Sequence, residues 1–570
     1  MRYHVLATDY DGTLARHGAT AETTLEAMRR LKASGRKLIL VTGRVLDDLK
    51  TVFSGLDLFD CIVAENGAVV HRPGTGEERV IGVPPPEAFV AALRGKGVTP
   101  MGRGRVIVST WEAHAETVLE TIKEFGLEHQ VIFNKGAVMI LPGGVNKAAG
   151  LAEALREMGY SGHNAVAVGD AENDNALLDS AECAVAVANA LPRLKERADL
   201  TTLGKDGAGV SELAERLIAT DLLELAPRLA RHWITVGHRE DGTPVQVDPY
   251  ARGVLLVGPS GGGKTTLASA FLEGLCQGGY QFCVFDPEGD YEGLEDAVEL
   301  GDAGHAPGPS EAVRVLERPG RNLVASTLGI PFADRPDFFQ ALLPDLLALR
   351  SRRGRPHWIM VDEAHHLMPA ARAASVSNLP RETRGLFLIT VEPDHVDRSA
   401  LEHVDWLFAI GGNAQATLGR FARTLGVPAP DPGPWNLAQG EALVWRRDPI
   451  HAPFKMRCLP PHRELRRHMR KYSQGELGPD KHFHFRGPEG KLNLRARNLM
   501  IFLQLAEGVD EGTWLFHLRA GHYSSWFRDS IKDAVLADAV ARIESREGVS
   551  PAESLGAIRD LIEARYTGPT

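Results

Sequence analysis

Two α/β domains in series, closed by a smaller and mostly helical segment, are the fold that this 570-residue sequence predicts. Three observations lead there. The chain is too long for a single hydrophobic core, since domains run to roughly 50–250 residues. Short apolar runs alternate with helical periodicity twice, once from the N-terminus and again after about residue 233. Past residue 452 that alternation stops and helical patterns take over.

The first unit opens with the strand-like YHVLAT, a helix carrying Leu25, Met28 and Leu31, and then the runs KLILVT and CIVAENGAVV. From about 80 to 142 the rhythm breaks. AFVAALRGKG and HAETVLETIKEFG have helical spacing, RVIVSTW and GAVMILP that of strands, so this part is expected to be a small inserted α+β cap. The rhythm resumes with AVAVGD and closes near GVSELAERLIATDLLELAPRLAR, which sets the first domain at 1–215. A hairpin turning at Asp241-Gly242 opens the second domain, 233–450. GVLLVG, FCVFDPEG, HWIMVDEAHH, GLFLITVEP and WLFAIGG supply its mainly parallel strands. The remainder, 452–570, begins basic and goes on to three expected helices, the last starting at a capping box of Ser550, Pro551 and Glu553.

Composition narrows the function classes. A hydrophobic share of 44% with 24% charged residues is that of an ordinary soluble globular chain. The net charge of −10 and pI near 6.1 provide no general attraction to nucleic acid or to an anionic membrane, leaving only a local basic patch for such a role. No apolar run approaches the roughly 18 residues of a membrane helix. The start, MRYHVLATDYDGTLAR, is polar and acidic, unlike a signal peptide. Cys61, Cys183, Cys276, Cys283 and Cys458 lie far apart without a CxxC pair and read as reduced thiols of a cytoplasmic protein.

The first chemistry is carried by acids at strand ends. VLATDYDGTL places Asp9 and Asp11 at the end of a strand, where both can face the crevice in which such sheets bind ligands, and Gly12 permits the turn. Alone, DxDG is also an ordinary Asp-rich turn. LILVTGR adds Thr42 beyond a second strand, GGVNKAAGL adds Lys147 at a helix start, and AVAVGDAENDNALL adds Asp170 and Asp174 beyond a third strand. Together they offer a nucleophile, an acid/base, phosphate donors and hard oxygen ligands for Mg²⁺, which would offset the repulsion between phosphate and carboxylate.

These four motifs, in this order over residues 1–215, resemble the haloacid dehalogenase (HAD) superfamily of phosphatases, specifically its Cof-type or IIB branch. The resemblance implies attack of Asp9 on phosphorus to form an aspartyl-phosphate, with Asp11 protonating the leaving oxygen and then activating water. It also implies that Thr42 and Lys147 hold the phosphoryl oxygens, and that Asp9, the Asp11 carbonyl, Asp170 and Asp174 hold Mg²⁺. The cap falls between the second and third motifs, as in that branch, and its small size points to small phosphate esters such as phosphoglycolate or sugar phosphates. Glu65-Asn66-Gly67-Ala68 matches the branch's ENGA segment, and GKDGAGVSEL its C-terminal part.

The second chemistry is a nucleotide grip. Gly258, Pro259, Ser260, Gly261, Gly262, Gly263, Lys264 and Thr265 satisfy GxxxxGK[ST], directly after the strand GVLLV and before a helix that starts with Thr265-Thr266. In that setting backbone N–H groups wrap the phosphates, Lys264 reaches the β/γ oxygens and Thr265 binds Mg²⁺. Asp362 and Glu363 end a later strand and suit, in turn, the magnesium shell and the activation of water against ATP. His365 and His366 follow as packing residues or sensors. This part, about 233–450, resembles the HerA/FtsK-like division of P-loop ATPases through the opening hairpin, FDPEGDY (Asp286, Glu288, Asp290, Tyr291), DEAHHL and LFLITVEP ending in Thr390. It departs from that division at VEP, where glutamine is usual. Arg420 and Arg423 read either as salt-bridged surface groups or as fingers toward a neighbouring subunit of a homo-oligomer.

Three functions compete on this reading. The first is a Mg²⁺-dependent phosphatase for a small ester fused to an ATP-hydrolysing domain. The second is a nucleic-acid end-processing machine, supported by ten Lys/Arg against four Asp/Glu between His462 and Asn498 and by the interleaved Tyr472, Phe483 and Phe485. The third is an ATP-gated interaction module. A capped site and an acidic chain favour the first.

Overall fold

The structure is a computed structural model. It describes all residues except 135, 260, 295, 373–378, 382, 432, 434, 449, 450, 463–481, 489, 491, 532, 547 and 567–570.

Among the described residues the first sheet has eight strands. Their order is Leu200–Thr201, Cys183–Ala186, Ala165–Gly169, Val5–Asp9, Lys37–Val41, Cys61–Ala64, Val69–Arg72, Glu77–Val80. The first six are parallel. VLATD and AVAVG are buried at every position, as strands covered on both faces must be. Register then places the chemistry. Thr8 pairs with Val168 and Asp9 with Val41, so Asp9, Asp170 and Thr42 leave adjacent strands at one edge. CIVAENGAVV reads as one run, but it folds back at Glu65–Gly67 into two antiparallel strands, with Ala64 opposite Val69. The reversal needs left-handed backbone at Asn66 (φ 55°) and Gly67 (φ 107°).

The insertion forms a second, antiparallel sheet in the order Gly102–Arg103, Val108–Trp111, Ala137–Pro142, His129–Asn134, with helices Glu87–Gly95 and Ala115–Glu124 packed on it. The strand His129–Asn134 has no sequence signature because it is half-buried at every position but the exposed Phe133 and so never alternates.

A third sheet, eleven-stranded among the described residues, carries the P-loop. Seven strands are parallel, in the order Trp406–Ile410, Gly253–Val257, Leu386–Thr390, Trp358–Val361, Phe282–Asp286, Asn322–Ser326, Ala297–Leu300. Four antiparallel strands extend it beyond Trp406: Glu441–Arg446, Phe454–Cys458, Ile234–His238 and Pro244–Val247. The last two form the hairpin at Asp241-Gly242, and Phe454–Cys458 carries this sheet past residue 450.

The C-terminal part has five helices among the described residues rather than three: Leu499–Gly508, Glu511–Arg519, His522–Asp529, Ala534–Glu544 and Pro551–Tyr566. Two local signals cut the apolar run. The Asp510 side chain caps the second helix by accepting from Thr513 N, and Gly521 takes a left-handed φ of 67° before the third. The capping box at Ser550 forms: Ser550 N–H donates to Glu553 Oε2 at 3.1 Å, and Glu553 N–H to Ser550 Oγ at 3.3 Å. Phe483 and Phe485 are buried among Phe502, Tyr523 and Trp526, so they build a core and offer no stacking surface. Tyr472 and most of the basic stretch lie outside the described residues.

The first and third sheets belong to units that meet through polar groups. Arg355 donates to the Gly159 carbonyl at 2.6 Å, Arg353 to Met158 at 2.7 Å and Tyr250 OH to His163 at 2.7 Å. Tyr280 OH donates to the buried Glu182 carboxylate at 2.9 Å. No helix among the described residues is long and apolar enough to cross a membrane.

Candidate active site and nucleotide site

Four chain segments converge at the carboxyl edge of the first sheet. Lys147 begins the helix Lys147–Met158, whose first turn is capped by the Asn146 side chain accepting from Ala149 N. The Lys147 ammonium, wholly buried, donates to Asp9 Oδ1 and to Asp174 Oδ1, both at 2.6 Å. Asp174 Oδ2 in turn accepts the backbone N–H groups of Asp170 and Ala171, each at 2.9 Å. Asp170 Oδ1 accepts from Thr13 Oγ1 at 3.0 Å. Two carboxylates therefore hold the lysine, a third stands beside them, and oxygens of Asp9, Asp170 and Asp174 lie within 4.8 Å of one another. Burial first, then the charge of Asp174, pushes the Asp9 carboxyl up to about 7 against the pull of Lys147. Burial also opposes the charge on Lys147, but Asp174 and Asp9 outweigh it and hold the ammonium above its ordinary value.

Asp11 stands at the mouth, gripped by both nitrogens of an Arg44 fork at 2.6 and 2.9 Å. Thr42 is buried, and its hydroxyl oxygen accepts the Arg44 N–H at 3.1 Å. A cavity of about 200 Å³ lies over these groups, lined by Asp9, Asp11, Arg44, Asn173 and, from the cap, Asn134 and Met139. Sequence reasoning missed Arg44 and Asn173. Each sits beside a motif acid or hydroxyl in LILVTGR and GDAENDN, and adjacency was the available signal.

The ENG turn does more than turn. The Glu65 carboxylate, fully buried, accepts the backbone N–H groups of Arg105, Val106 and Ile107 at 2.9, 2.9 and 3.1 Å, so it fastens the cap to the edge of the site. A methyl group on Gly67 would stand 1.9 Å from the Asn146 carbonyl oxygen, immediately before Lys147. Gly67→Ala is therefore expected to push the start of that helix away. It should cost about 2–4 kcal/mol of stability and at least about tenfold in turnover. Thermal unfolding and phosphate release measure the two losses, and wild-type values for both would refute the close approach.

The P-loop leaves the strand Gly253–Val257 and enters the helix Lys264–Gln277. Gly261 (φ 73°) and Gly263 (φ 100°) are left-handed, and a side chain on Gly258 would strike Ile410 at 2.2 Å. Ser260 lies outside the described residues. The Lys264 ammonium donates to the Gly258 and Pro259 carbonyls at 3.1 and 3.3 Å, and Thr266 is exposed in the first turn. Thr265 Oγ1 lies 3.5 Å from Asp290 Oδ2. Asp290 belongs to a loop folded around Asp286, whose carboxylate accepts the backbone N–H groups of Gly289, Asp290 and Tyr291. Burial pushes the Asp286 carboxyl up to about 6 despite those donors. Asp362 is buried beside this loop, and burial, then Glu363, Asp290 and Asp286, holds its carboxyl well above the usual range. Glu363 N–H donates to Asp362 Oδ1 at 2.8 Å. Arg420 pairs with Glu392 of VEP at 2.9 Å.

A buried carboxylate–lysine cluster under a small cap defines a phosphoryl-transfer hydrolase of the α/β class, joined here to a P-loop nucleotide-binding domain. Residues 6–80 and 105–213 match the haloacid dehalogenase-like hydrolases, and residues 234–338 match the central domain of helicase HerA. The phosphoglycolate phosphatase of Methanothermobacter thermautotrophicus is 32% identical over 222 residues, covering 37% of this chain and 98% of that one. That of Archaeoglobus fulgidus is 30% identical over 221 residues, covering 37% and 96%. A haloacid dehalogenase-like hydrolase from Bacteroides thetaiotaomicron, of known structure, aligns with 38% of this chain and 99% of that one at 19% identity, with a TM-score of 0.33. The chain belongs to the haloacid dehalogenase-like hydrolases through its N-terminal part, and carries a HerA-type P-loop domain after it.

Proposed function

We propose that the N-terminal domain hydrolyses a small phosphate monoester, of the phosphoglycolate or sugar-phosphate kind, through an aspartyl-phosphate on Asp9. The observation that carries this reading is the 200 Å³ cavity, roofed by the cap, with Asp9 at its floor. Its volume suits a small ester better than the end of a nucleic-acid strand. Relatives named phosphoglycolate phosphatases, aligned over nearly their whole length, support the substrate class.

Lys147 and the Thr42 hydroxyl hold the phosphoryl oxygens while the Asp9 oxygen attacks phosphorus. Asp11 gives its proton to the leaving oxygen and then takes one from the water that cleaves the acyl phosphate. Arg44 keeps the Asp11 carboxyl at the cavity mouth through both of its oxygens. The donor set of Asp9, Asp170 and Asp174, all buried oxygens in excess over the single Lys147, fits a hard divalent cation. Mg²⁺ held there, with the Asp11 carbonyl, supplies positive charge against the repulsion between phosphate and carboxylate.

In the P-loop domain Lys264 and Thr265 grip ATP and its Mg²⁺, Asp362 supports the metal, and Glu363 activates water for ATP hydrolysis. The five free cysteines suit a reducing compartment, and we place the protein in the cytoplasm. A second reading, strand translocation by an oligomer of the P-loop domain, rests on the match to helicase HerA.

The test uses the Lys264→Ala form. It should keep full Mg²⁺-dependent turnover of phosphoglycolate or of a related ester in a panel, and lose ATP binding by about 10²-fold or more. No turnover of any small ester in Mg²⁺ would sink the first reading. Strong stimulation of the wild-type ATP hydrolysis by DNA would replace it with the second.

A further inference from the structure

Glu363 and the Thr390 hydroxyl leave neighbouring strands, Trp358–Val361 and Leu386–Thr390, and one imidazole stands between them. His365 Nδ1 lies 3.1 Å from Thr390 Oγ1 and 3.4 Å from Glu363 Oε2. The proton inventory sets the tautomer. Thr390 has one hydroxyl hydrogen, and it goes to the Glu392 carbonyl oxygen at 3.1 Å. Thr390 Oγ1 therefore accepts at its other contact, and His365 Nδ1 carries the N–H. The Glu363 Oε2 oxygen lies beside the same nitrogen at 3.4 Å, an ion-pair distance rather than a hydrogen bond.

Two further observations show that this arrangement is held in place. Glu363 has φ 42°, a left-handed backbone that costs a non-glycine residue about 1–3 kcal/mol and persists only where the surroundings impose it. The His365 ring lies 3.9 Å from that of His366, which packs on Phe332 at 4.3 Å. The sequence alone offered packing or sensing for these histidines, and the geometry separates them: His366 packs, while His365 bridges.

We propose that His365 is a positioning residue for ATP hydrolysis, its imidazole anchored on the Thr390 hydroxyl and standing 3.4 Å from the Glu363 carboxylate so that the acid keeps one orientation toward the attacking water. This rests on the reading that the P-loop domain hydrolyses ATP. His365 acts through Glu363 rather than on the nucleotide, so its loss falls on turnover and leaves ATP binding alone. The tautomer makes the idea selective. An asparagine amide N–H takes the place of Nδ1–H, whereas a glutamine amide takes that of Nε2.

The experiment is steady-state ATP hydrolysis by the full chain, for wild type, His365→Ala, His365→Gln, His365→Asn and Lys264→Ala. The alanine and glutamine variants should lose on the order of 10- to 100-fold in kcat with KM for ATP within about threefold of wild type. The asparagine variant should recover most of kcat. An asparagine variant no better than glutamine, or a KM that rises as kcat falls, overturns the positioning role. If His365→Ala equals an active wild type, the role also falls while ATP hydrolysis stands. If wild type turns over no more ATP than Lys264→Ala, the ATPase reading falls and takes this role with it.

Discussion

Asp9→Asn should lose on the order of 10⁴-fold or more in phosphate release from a small ester or an aryl phosphate, while the protein stays folded and ATP turnover is unchanged. The amide keeps the shape of the carboxyl and fills the same space at the end of Val5–Asp9, but its oxygen cannot attack phosphorus to form the acyl phosphate. Stability should barely move. Burial and Asp174 already push the Asp9 carboxyl up to about 7, so the charged form is held in the fold at a cost that the neutral amide removes. Against that, Lys147 loses one of two carboxylate partners and keeps Asp174 at 2.6 Å. The two effects oppose each other, and the melting temperature of this domain should stay within about 4 °C of wild type, the shift that roughly 1 kcal/mol gives in a domain of about 200 residues. Phosphate release, ATP hydrolysis and a thermal melt on one preparation decide the matter. Loss of ATP turnover in the same variant would show that the two sites depend on each other.

What could be read from the sequence follows from how each feature is encoded. Strands buried on both faces are continuous apolar runs, so VLATD, KLILV, AVAVG, GVLLV and WIMV stand out, and an acid or hydroxyl at or just past the end of four of them, with the P-loop glycines after GVLLV, lies at a known sheet edge. That is why Asp9, Thr42, Asp170 and Asp362 could be placed in crevices without a structure. Features that depend on one residue's backbone, or on distant partners, leave no such trace. Glu65-Asn66-Gly67-Ala68 reads as a turn beside the site, but the hold of the Glu65 carboxylate on the cap does not show in it. The strand His129–Asn134 lacks alternation, and the five helices among the described residues of the C-terminal part read as three because each break rests on one residue, the Asp510 cap or the left-handed Gly521. Arg44 and Asn173 are legible only as neighbours of motif residues, since what marks them is a partner, Asp11 in one case and Asn66 in the other. The polar junction between the first and second domains was not legible at all. Its members, Arg2, His163, Glu182, Tyr250, Tyr280 and His357, are scattered over about 350 residues, and nothing local distinguishes a buried glutamate from a surface one.

That junction is where the largest stability effect is expected. The Glu182 carboxylate is wholly buried and accepts from Arg2 Nη2 at 2.5 Å, His163 Nδ1 at 2.7 Å and Tyr280 OH at 2.9 Å. Arg2 also lies over the Tyr250 ring at 3.8 Å, and His163 stacks on Tyr280 at 3.8 Å. Glu182→Ala leaves a buried guanidinium without its counter-charge, a change that costs about 3–5 kcal/mol. In a multidomain chain the loss should appear as a lower first unfolding transition and as faster proteolysis at the junction rather than as uniform destabilisation. Acid should mimic it in two stages. Burial, then His163 and Arg355, holds the neutral His357 well below its ordinary 6.5. Below that pH the unfolded chain takes up a proton that the folded one refuses, and stability falls. For Glu182 burial favours the neutral acid, but the hydrogen bond and charge of His163, with Arg2 and His232, outweigh it and hold the carboxyl below its ordinary 4.5. Below pH 4.5 the unfolded glutamate is protonated first, and stability falls again. Both steps have the same sign, so the junction weakens as pH drops from neutrality. Melts of wild type and Glu182→Ala between pH 4 and 8 separate them, because the variant should keep the loss below about pH 6.5 and lack the further one below about 4.5. Equal stability of the two proteins at pH 7, or a first transition that rises in acid, would show that Glu182 does not hold the domains together.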